Sequence, residues 1–197
     1  FRRVLFRSVL ARDGLIVDLG PHLEAGAVGD ATLIDCGGHV LAPGLVDMAV
    51  LTGEPGHEHR ETLATASRAA AAGGVTTLIC MPDTDPVIDD VALVDFILRR
   101  ARDTAIVHVH PMAATTKGLL GAEMTEIGLL SEAGAIALTN GKTSVANAKV
   151  MRNVLAYAKD FGALIVHHLE DPSLAKDGVM NEGRSEEHTS ELQSQFR

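Results

Sequence analysis

A His-x-His pattern is the feature of this chain whose residue types and spacing could do chemistry. His108 and His110 form it within one apolar run, and His168 lies in a later run. Side chains at positions i and i+2 of a β-strand project from the same face, so such a pair can hold a divalent metal such as zinc. A bound zinc supports hydrolysis by polarising a carbonyl and activating water. Metal binding at His108 and His110 is one alternative, and packing on an interior-facing strand is the other.

A second segment, residues 43–56, reads PGLVDMAVLTGEPG. It resembles the first barrel strand of the dihydroorotase family of cyclic amidohydrolases, whose typical form is close to PGLVDMHVHLREPG. Positions 43–48, 50 and 54–56 fit that form. The resemblance implies a (β/α)8 barrel with a small appended β-sandwich. It also implies hydrolysis of a cyclic amide at a metal centre on the C-terminal ends of the barrel strands.

The metal ligands that the resemblance implies are largely replaced. Ala49 and Leu51 are the lost ligand positions, where the family has two histidines, and neither side chain offers a donor atom. Asn140, in ALTNGK, stands where active members have a metal-bridging aspartate, and His168, in VHHLEDPS, aligns with a metal histidine. One histidine cannot hold a zinc ion alone. We therefore expect Asn140 and His168 to be vestigial or weak ligands, and we expect no bound cofactor.

The substrate positions have changed as well. The resemblance implies that an arginine and an asparagine hold a substrate carboxylate, and Gly53 and Asp83 stand in their places. Loss of the arginine removes hydrogen bonds that contribute about 1.5–3 kcal/mol each. A carboxylate at 83 would repel the substrate carboxylate by about 4 kcal/mol at 4 Å and a surface-like dielectric. Gly53 and Asp83 are thus vestigial substrate-binding positions, and we predict no catalytic residue. Lys117, in TKGL, is predicted to have a structural or surface role.

Strands and helices alternate from residue 43 onward, which indicates parallel βαβ units. With the resemblance, this pattern predicts an α/β fold: a truncated (β/α)8 TIM barrel of about five strands. An incomplete barrel exposes unpaired strand edges, so we expect the chain alone to fold poorly. Strands are predicted at 44–50, 75–81, 105–113, 135–140 and 163–169, and helices at 57–72, 89–102, 123–133 and 145–160. Glycines at 73–74, 134 and 162 are predicted to end three helices.

The upstream segment and the two ends complete the predicted organisation. Residues 184–191 (RSEEHTSE) can be encoded by a DNA segment whose reverse complement encodes residues 1–8 (FRRVLFRS), and that segment matches a widely used sequencing adapter. Residues 1–8 and 184–197 are therefore interpreted as translated adapter. Residues 9–42, with short strands at 15–18 and 32–35, are predicted to be part of the small β-sandwich. Residues 43–183 are predicted to be the N-terminal part of the barrel.

Charge and cysteine content exclude several classes of protein. The formal net charge of −9 gives no electrostatic footprint for nucleic acid or an anionic membrane. No apolar run reaches the roughly 18 residues that a transmembrane helix requires. Cys36 and Cys80 lack CxxC spacing, which argues against a disulfide framework or zinc cluster and favours a reducing, cytoplasmic location.

Two functions stay open on the sequence. The favoured one is a non-catalytic dihydroorotase homologue of pyrimidine biosynthesis; the resemblance implies that it supports aspartate transcarbamoylase and is oligomeric when full length. The alternative is an active, metal-dependent dihydroorotase or related amidohydrolase that hydrolyses a cyclic amide C–N bond. Its altered zinc site would use His108, His110 and His168 with Asp83, and its ring substrate would be less anionic, such as a hydantoin. A third, weaker hypothesis is a regulatory small-molecule binder.

Overall fold

The computed structural model describes residues 8–21, 23, 29 and 31–175. Both predicted adapter segments, apart from Ser8, and residues 176–183 of the predicted barrel segment lie outside the described residues. The chain divides into two compact units, Phe1–Pro43 and Gly44–Arg197. No helix in the described part has both the length and the apolar character that a bilayer crossing requires.

The first unit contains an antiparallel hairpin of β1 (Ser8–Arg12) and β2 (Leu15–Gly20). Asp13 and Gly14 form its turn with φ of +52° and +77°, the backbone that an Asp-Gly hairpin loop adopts. The sequence predicted β2 but not β1. The strand predicted at 32–35 does not form, because its apolar side chains have no sheet to pack on: Leu33 is 88% exposed.

The second unit alternates parallel strands with helices. Two three-stranded parallel sheets have the strand orders β3-β4-β5 and β6-β7-β8. Because β5 and β6 are consecutive segments of the same barrel strand, the two sheets together supply five barrel strands in chain order. This arrangement confirms the predicted α/β class and partial barrel. The strands and helices are β3 (Leu45–Val50), α1 (Leu63–Ala72), β4 (Val75–Cys80), α2 (Val91–Thr104), β5 (His108–Pro111), β6 (Ala113–Ala114), a 3₁₀ turn (Lys117–Leu119), α3 (Ile127–Glu132), β7 (Leu138–Thr139), α4 (Ala148–Asp160), β8 (Ile165–Val166) and α5 (Pro172–Ala175).

Side-chain capping fixes where the helices begin. Thr62 and Thr65 form a capping box at the start of α1, and Asp90 accepts a hydrogen bond from Ala92 N at the start of α2. Asn147 caps α4 in the same way through its Oδ1. Helix α1 therefore starts later than predicted, since residues 57–61 form turns instead.

Glycines end three helices as predicted. Gly74, Gly134 and Gly162 have φ of +78°, +108° and +62° after α1, α3 and α4, a conformation that other residues adopt at a cost. Helix α3 is shorter than predicted because Thr125 is hydrogen-bonded to the end of the third barrel strand, where its Oγ1 donates to Ala114 O at 2.7 Å.

Two apolar clusters identify the two faces of the sheets. Leu78 and Cys80 of β4 belong to the larger cluster, between the sheets and the helices, which we call the outer core. Ile79, Met112 and Ala137 form a smaller cluster on the opposite side, which we call the inner cluster. Side chains alternate between the two faces along a strand. Within a strand, the neighbours of a residue in the outer core therefore face the barrel interior.

Candidate functional site

The end of β3 carries no metal-binding atom at the predicted ligand positions. Ala49 has only a methyl group, and Leu51, one residue beyond β3, is a hydrocarbon side chain that is 42% exposed. The register with β4 shifts between Asp47 and Val50, so the strand is irregular at Ala49. Neither side chain can coordinate a cation.

Asn140 follows β7 and is 1% exposed. Thr116 Oγ1 donates a hydrogen bond to Asn140 Oδ1 at 2.6 Å. Asn140 Nδ2 donates to Leu119 O at 3.0 Å and to Thr143 Oγ1 at 3.2 Å. Both amide hydrogens are therefore used, and the side chain connects the end of the third barrel strand to the end of the fourth. This commitment weighs against the predicted role as a vestigial or weak metal ligand.

Asp83 instead faces Gly141, the next residue along the chain. A Cβ added to Gly141 would lie 2.3 Å from Asp83 Oδ1, so the carboxylate fills the space that a side chain at 141 would need. Gly141 lies two residues beyond β7, in a turn with φ of +64°. Asp83 Oδ2 is buried without a hydrogen-bond partner among the described residues. The carboxylate at 83 therefore packs against the turn that follows the fourth strand.

His108 and His110 lie on β5, whose last residue is Pro111. Pro111 pairs with Cys80, which pairs with Val50 at the end of β3, so His110 is level with residue 49 of the first strand. Within the described residues, His108, His110, His168 and Asp83 do not come together as a group of three that could hold a metal ion, as the alternative zinc site would require.

The two C-terminal histidines make different contacts. His167 Nε2 accepts a hydrogen bond from Val145 N at 3.0 Å, which ties the fifth strand to the segment before α4. His168 is exposed, and its Nε2 lies 3.2 Å from Glu170 Oε2. Within the described ranges, no three His, Cys, Asp or Glu side chains lie close enough to hold a metal ion together. His168 therefore has no described partner set for coordination.

The loop after β3 is built around a buried carboxylate. Glu54 is 3% exposed; its Oε2 accepts from Leu63 N at 2.9 Å, and its Oε1 accepts from Arg100 Nε at 2.5 Å. The backbone around Gly53 is closed in the same loop, since a Cβ there would lie 2.5 Å from both His57 O and Glu61 O. An arginine at 53 could not be accommodated without moving this backbone.

Two further groups can be assigned from their surroundings. Lys117 is half-exposed and paired with Glu123, whose hydrogen bond and charge raise the pKa of the lysine, so it stays protonated at the surface, as predicted. Burial raises the pKa of the Cys80 thiol to about 12, although a hydrogen bond with Thr52 opposes the shift. Cys80 lies in the outer core, on the face of the sheet opposite the inner cluster.

Comparison with known proteins agrees with this architecture. The family described as Dihydro-orotase-like matches residues 38–191. The chain belongs to the dihydro-orotase-like family. It is 44% identical over 176 residues to the dihydroorotase of Geobacter sp. (strain M21), and 41% identical over 176 residues to that of Caldicellulosiruptor saccharolyticus. Each match covers 89% of this chain and 41% of the relative, so the chain spans about two fifths of these relatives' length.

The L-hydantoinase (dihydropyrimidinase) from Arthrobacter aurescens has a similar fold. The TM-score is 0.67 at 24% identity, over 83% of this chain and 37% of the hydantoinase. At that identity the similarity supports the cyclic-amidohydrolase fold of this dihydro-orotase-like chain and no finer property.

The metal that the dihydro-orotase-like family implies does not fit the residues present. At the positions matched to the family's ligands, the first strand offers a methyl and an isobutyl group, and both amide hydrogens of Asn140 are used in protein contacts. Within the described residues, no three His, Cys, Asp or Glu side chains come together, whereas a divalent site needs three or more donors.

Sequence reasoning did not find the role of Glu54 or of its partner. Glu54 was recognised only as part of the matched EPG segment, and Arg100 lies 46 residues away on α2 without a local signal. The contact between Asp83 and Gly141 was missed for the same reason, since both depend on how separate strand ends meet.

Proposed function

We propose that this dihydro-orotase-like protein is a non-catalytic homologue that supports aspartate transcarbamoylase rather than hydrolysing dihydroorotate. The observation that carries the proposal is the end of the first strand, where Ala49 and Leu51 offer no lone pair to a cation. A hydrolase of this kind needs its metal both to polarise the amide and to generate hydroxide near neutral pH.

The substrate positions support the proposal independently. Gly53 sits in a closed backbone turn, and Asp83 places a negative charge at the C-terminal end of β4. A substrate with a carboxylate, such as dihydroorotate, would lose its cationic partner and meet a second carboxylate. At about 1.4 kcal/mol per tenfold change, these two changes together correspond to several powers of ten in affinity.

Metal content and turnover of the full-length protein test the proposal. We expect zinc far below one equivalent after purification in zinc-supplemented medium, and no dihydroorotate hydrolysis above the buffer rate. The dihydroorotase of Geobacter sp. (strain M21), prepared in parallel, is the positive control. Near-stoichiometric zinc together with turnover that a chelator abolishes would overturn the proposed lack of activity.

The partner in this proposal follows from the family resemblance, and it has a test of its own. We expect the full-length protein to co-elute with aspartate transcarbamoylase from the same cell in size-exclusion chromatography at micromolar concentration. An inactive protein that elutes separately, with no change in transcarbamoylase stability on mixing, would agree with the proposed lack of catalysis. It would contradict the proposed support of aspartate transcarbamoylase.

The active alternative is favoured by the 44% identity to proteins named dihydroorotase. If it holds, further metal ligands must lie outside the described residues, because within them no three His, Cys, Asp or Glu side chains come together. Hydrolysis of a neutral hydantoin ring in preference to dihydroorotate would distinguish this alternative from the scaffold.

A further inference from the structure

Asn140, which is buried, lies at the centre of a polar network that joins two strand ends. We infer that Asn140 is a positioning residue: it fastens the segment 116–121, which we call the third-strand loop, to the end of the fourth strand. The inference does not depend on the proposed lack of activity, because it concerns what this side chain holds rather than what the barrel hydrolyses.

The network leaves no donor or acceptor of the amide unused. Thr116 Oγ1 gives its one proton to Asn140 Oδ1 and accepts the backbone N–H of Gly121 at 2.9 Å. Asn140 Nδ2 reaches Leu119 O and Thr143 Oγ1. Thr143 Oγ1 in turn donates to Asn140 O at 2.8 Å. Buried networks of this kind are stabilising only when every member is satisfied, and these are.

The backbone of the third-strand loop shows why a fastener is required. Leu119 has φ of +61°, in the left-handed region that is unfavourable for a residue with a Cβ. That conformation directs Leu119 O toward the amide of Asn140 and toward Thr143 Oγ1, 3.4 Å away. Such a conformation persists only when surrounding contacts stabilise it, and here the hydrogen bond from Asn140 Nδ2 to Leu119 O does so.

An aspartate at 140 could not do this work. A carboxylate could still accept from Thr116, but its second oxygen would replace Nδ2, which lies 3.0 Å from Leu119 O, and two acceptors would then face each other. The residue that the family uses as a bridging ligand is therefore incompatible with this loop while it is ionised. At the end of the fourth strand, the side chain at 140 therefore holds the third-strand loop and does not bind a metal.

Limited proteolysis measures opening of the third-strand loop directly, because Lys117 is a trypsin site within it. In the full chain we expect Asn140→Asp and Asn140→Ala to speed cleavage after Lys117 by about five- to thirty-fold, since cleavage tracks the open population of the loop. The Tm should fall by about 5 °C in both. Lowering the pH from 7.5 to 5 should reduce the Tm loss of Asn140→Asp and leave that of Asn140→Ala unchanged. Protonation of the aspartate stabilises the folded protein because it restores one hydrogen-bond donor at position 140.

Asn147→Asp is the matched control. It makes the same chemical change seven residues away, but Asn147 uses only its Oδ1, which accepts from Lys149 N and Val150 N at the start of α4, and aspartate caps a helix equally well. We expect its cleavage rate and Tm to equal those of the parent. If the Asn140 variants do not fold, Thr143→Val removes one partner of the network and should still speed cleavage.

Unchanged cleavage after Lys117 in the Asn140 and Thr143 variants would overturn the fastening role. Equal acceleration in Asn147→Asp would do the same, because it would reflect a general effect of added charge. Neither result depends on metal content or turnover. Proteolysis therefore tests this inference, and zinc analysis with the turnover assay tests the proposed function, independently of each other.

Discussion

At Gly53 the backbone leaves no room for any side chain, which makes the lost arginine more than a lost charge. The carbonyl oxygens of His57 and Glu61 lie 2.5 Å from where a Cβ would be. We expect Gly53→Ala to reduce the free energy of unfolding by about 2 kcal/mol, since the clash is with backbone and cannot be relieved by a rotamer change. Urea denaturation measures the difference.

A second glycine supplies the control for that measurement. Gly73 ends α1 with φ of −87°, and a Cβ there would meet nothing closer than 3.5 Å. Gly73→Ala should leave stability unchanged or raise it by about 0.5 kcal/mol. Equal losses at Gly53 and Gly73 would contradict the view that the loop after β3 has closed around residue 53.

The residues of the site divide into those that the sequence could assign and those that it could not. Ala49, Leu51 and Gly53 lie within one matched segment, and their chemistry follows from their side chains alone. The role of Asn140 does not follow in this way, because its partners Thr116, Leu119 and Thr143 come from other parts of the chain. The sequence therefore predicts a weak ligand where the structure has a hydrogen-bonded connection between two strand ends.

Among the elements, α1 depends on a side chain that precedes it. Glu54 accepts the backbone N–H of Leu63 and pairs with Arg100, which is 44% exposed on α2, so one carboxylate joins the loop after β3 to two helices. A negative charge at a helix N-terminus is also favourable. We expect Glu54→Gln to destabilise the protein by about 2 kcal/mol, because the amide must turn a donor toward either Leu63 or Arg100.

A double-mutant cycle with Arg100→Ala tests whether the pair acts as a unit. The effect of Glu54→Gln should be smaller by about 0.5–1 kcal/mol when Arg100 is already absent, because residues in one network are not additive. Glu132→Gln, on the exposed end of α3, is the control and should change stability by less than about 0.5 kcal/mol. Strictly additive losses would show that Glu54 acts only through Leu63.

Elements were predictable from the sequence to the extent that local chemistry sets them. The glycines that end α1, α3 and α4 need only their own backbone freedom, and those helix ends were predicted. The start of α1 and the length of α3 depend on turns and on the contact of Thr125 with Ala114, and these were not. The strand predicted at 32–35 failed because a strand also requires a partner.

On the scale of the whole molecule, the first barrel strand presents apolar side chains that no described residue covers. Val46 and Met48 of β3 are 56% and 57% exposed, and β3 pairs only with β4. Exposed apolar strands with an unpaired edge associate with other chains. We expect the 197-residue chain to self-associate at micromolar concentration, which sedimentation velocity measures.

A charge on this surface should oppose association without unfolding the protein. Met48→Lys adds a solvated ammonium at a position that is already open, so we expect a shift toward monomer with the free energy of unfolding within about 0.5 kcal/mol of the parent. Leu78→Lys, at 3% exposure in the outer core, should instead abolish cooperative unfolding, because it buries an unpaired charge. If Met48→Lys associates as strongly as the parent, the contact between chains lies elsewhere than on β3, and the first strand is then not the surface through which this partial barrel meets its neighbours.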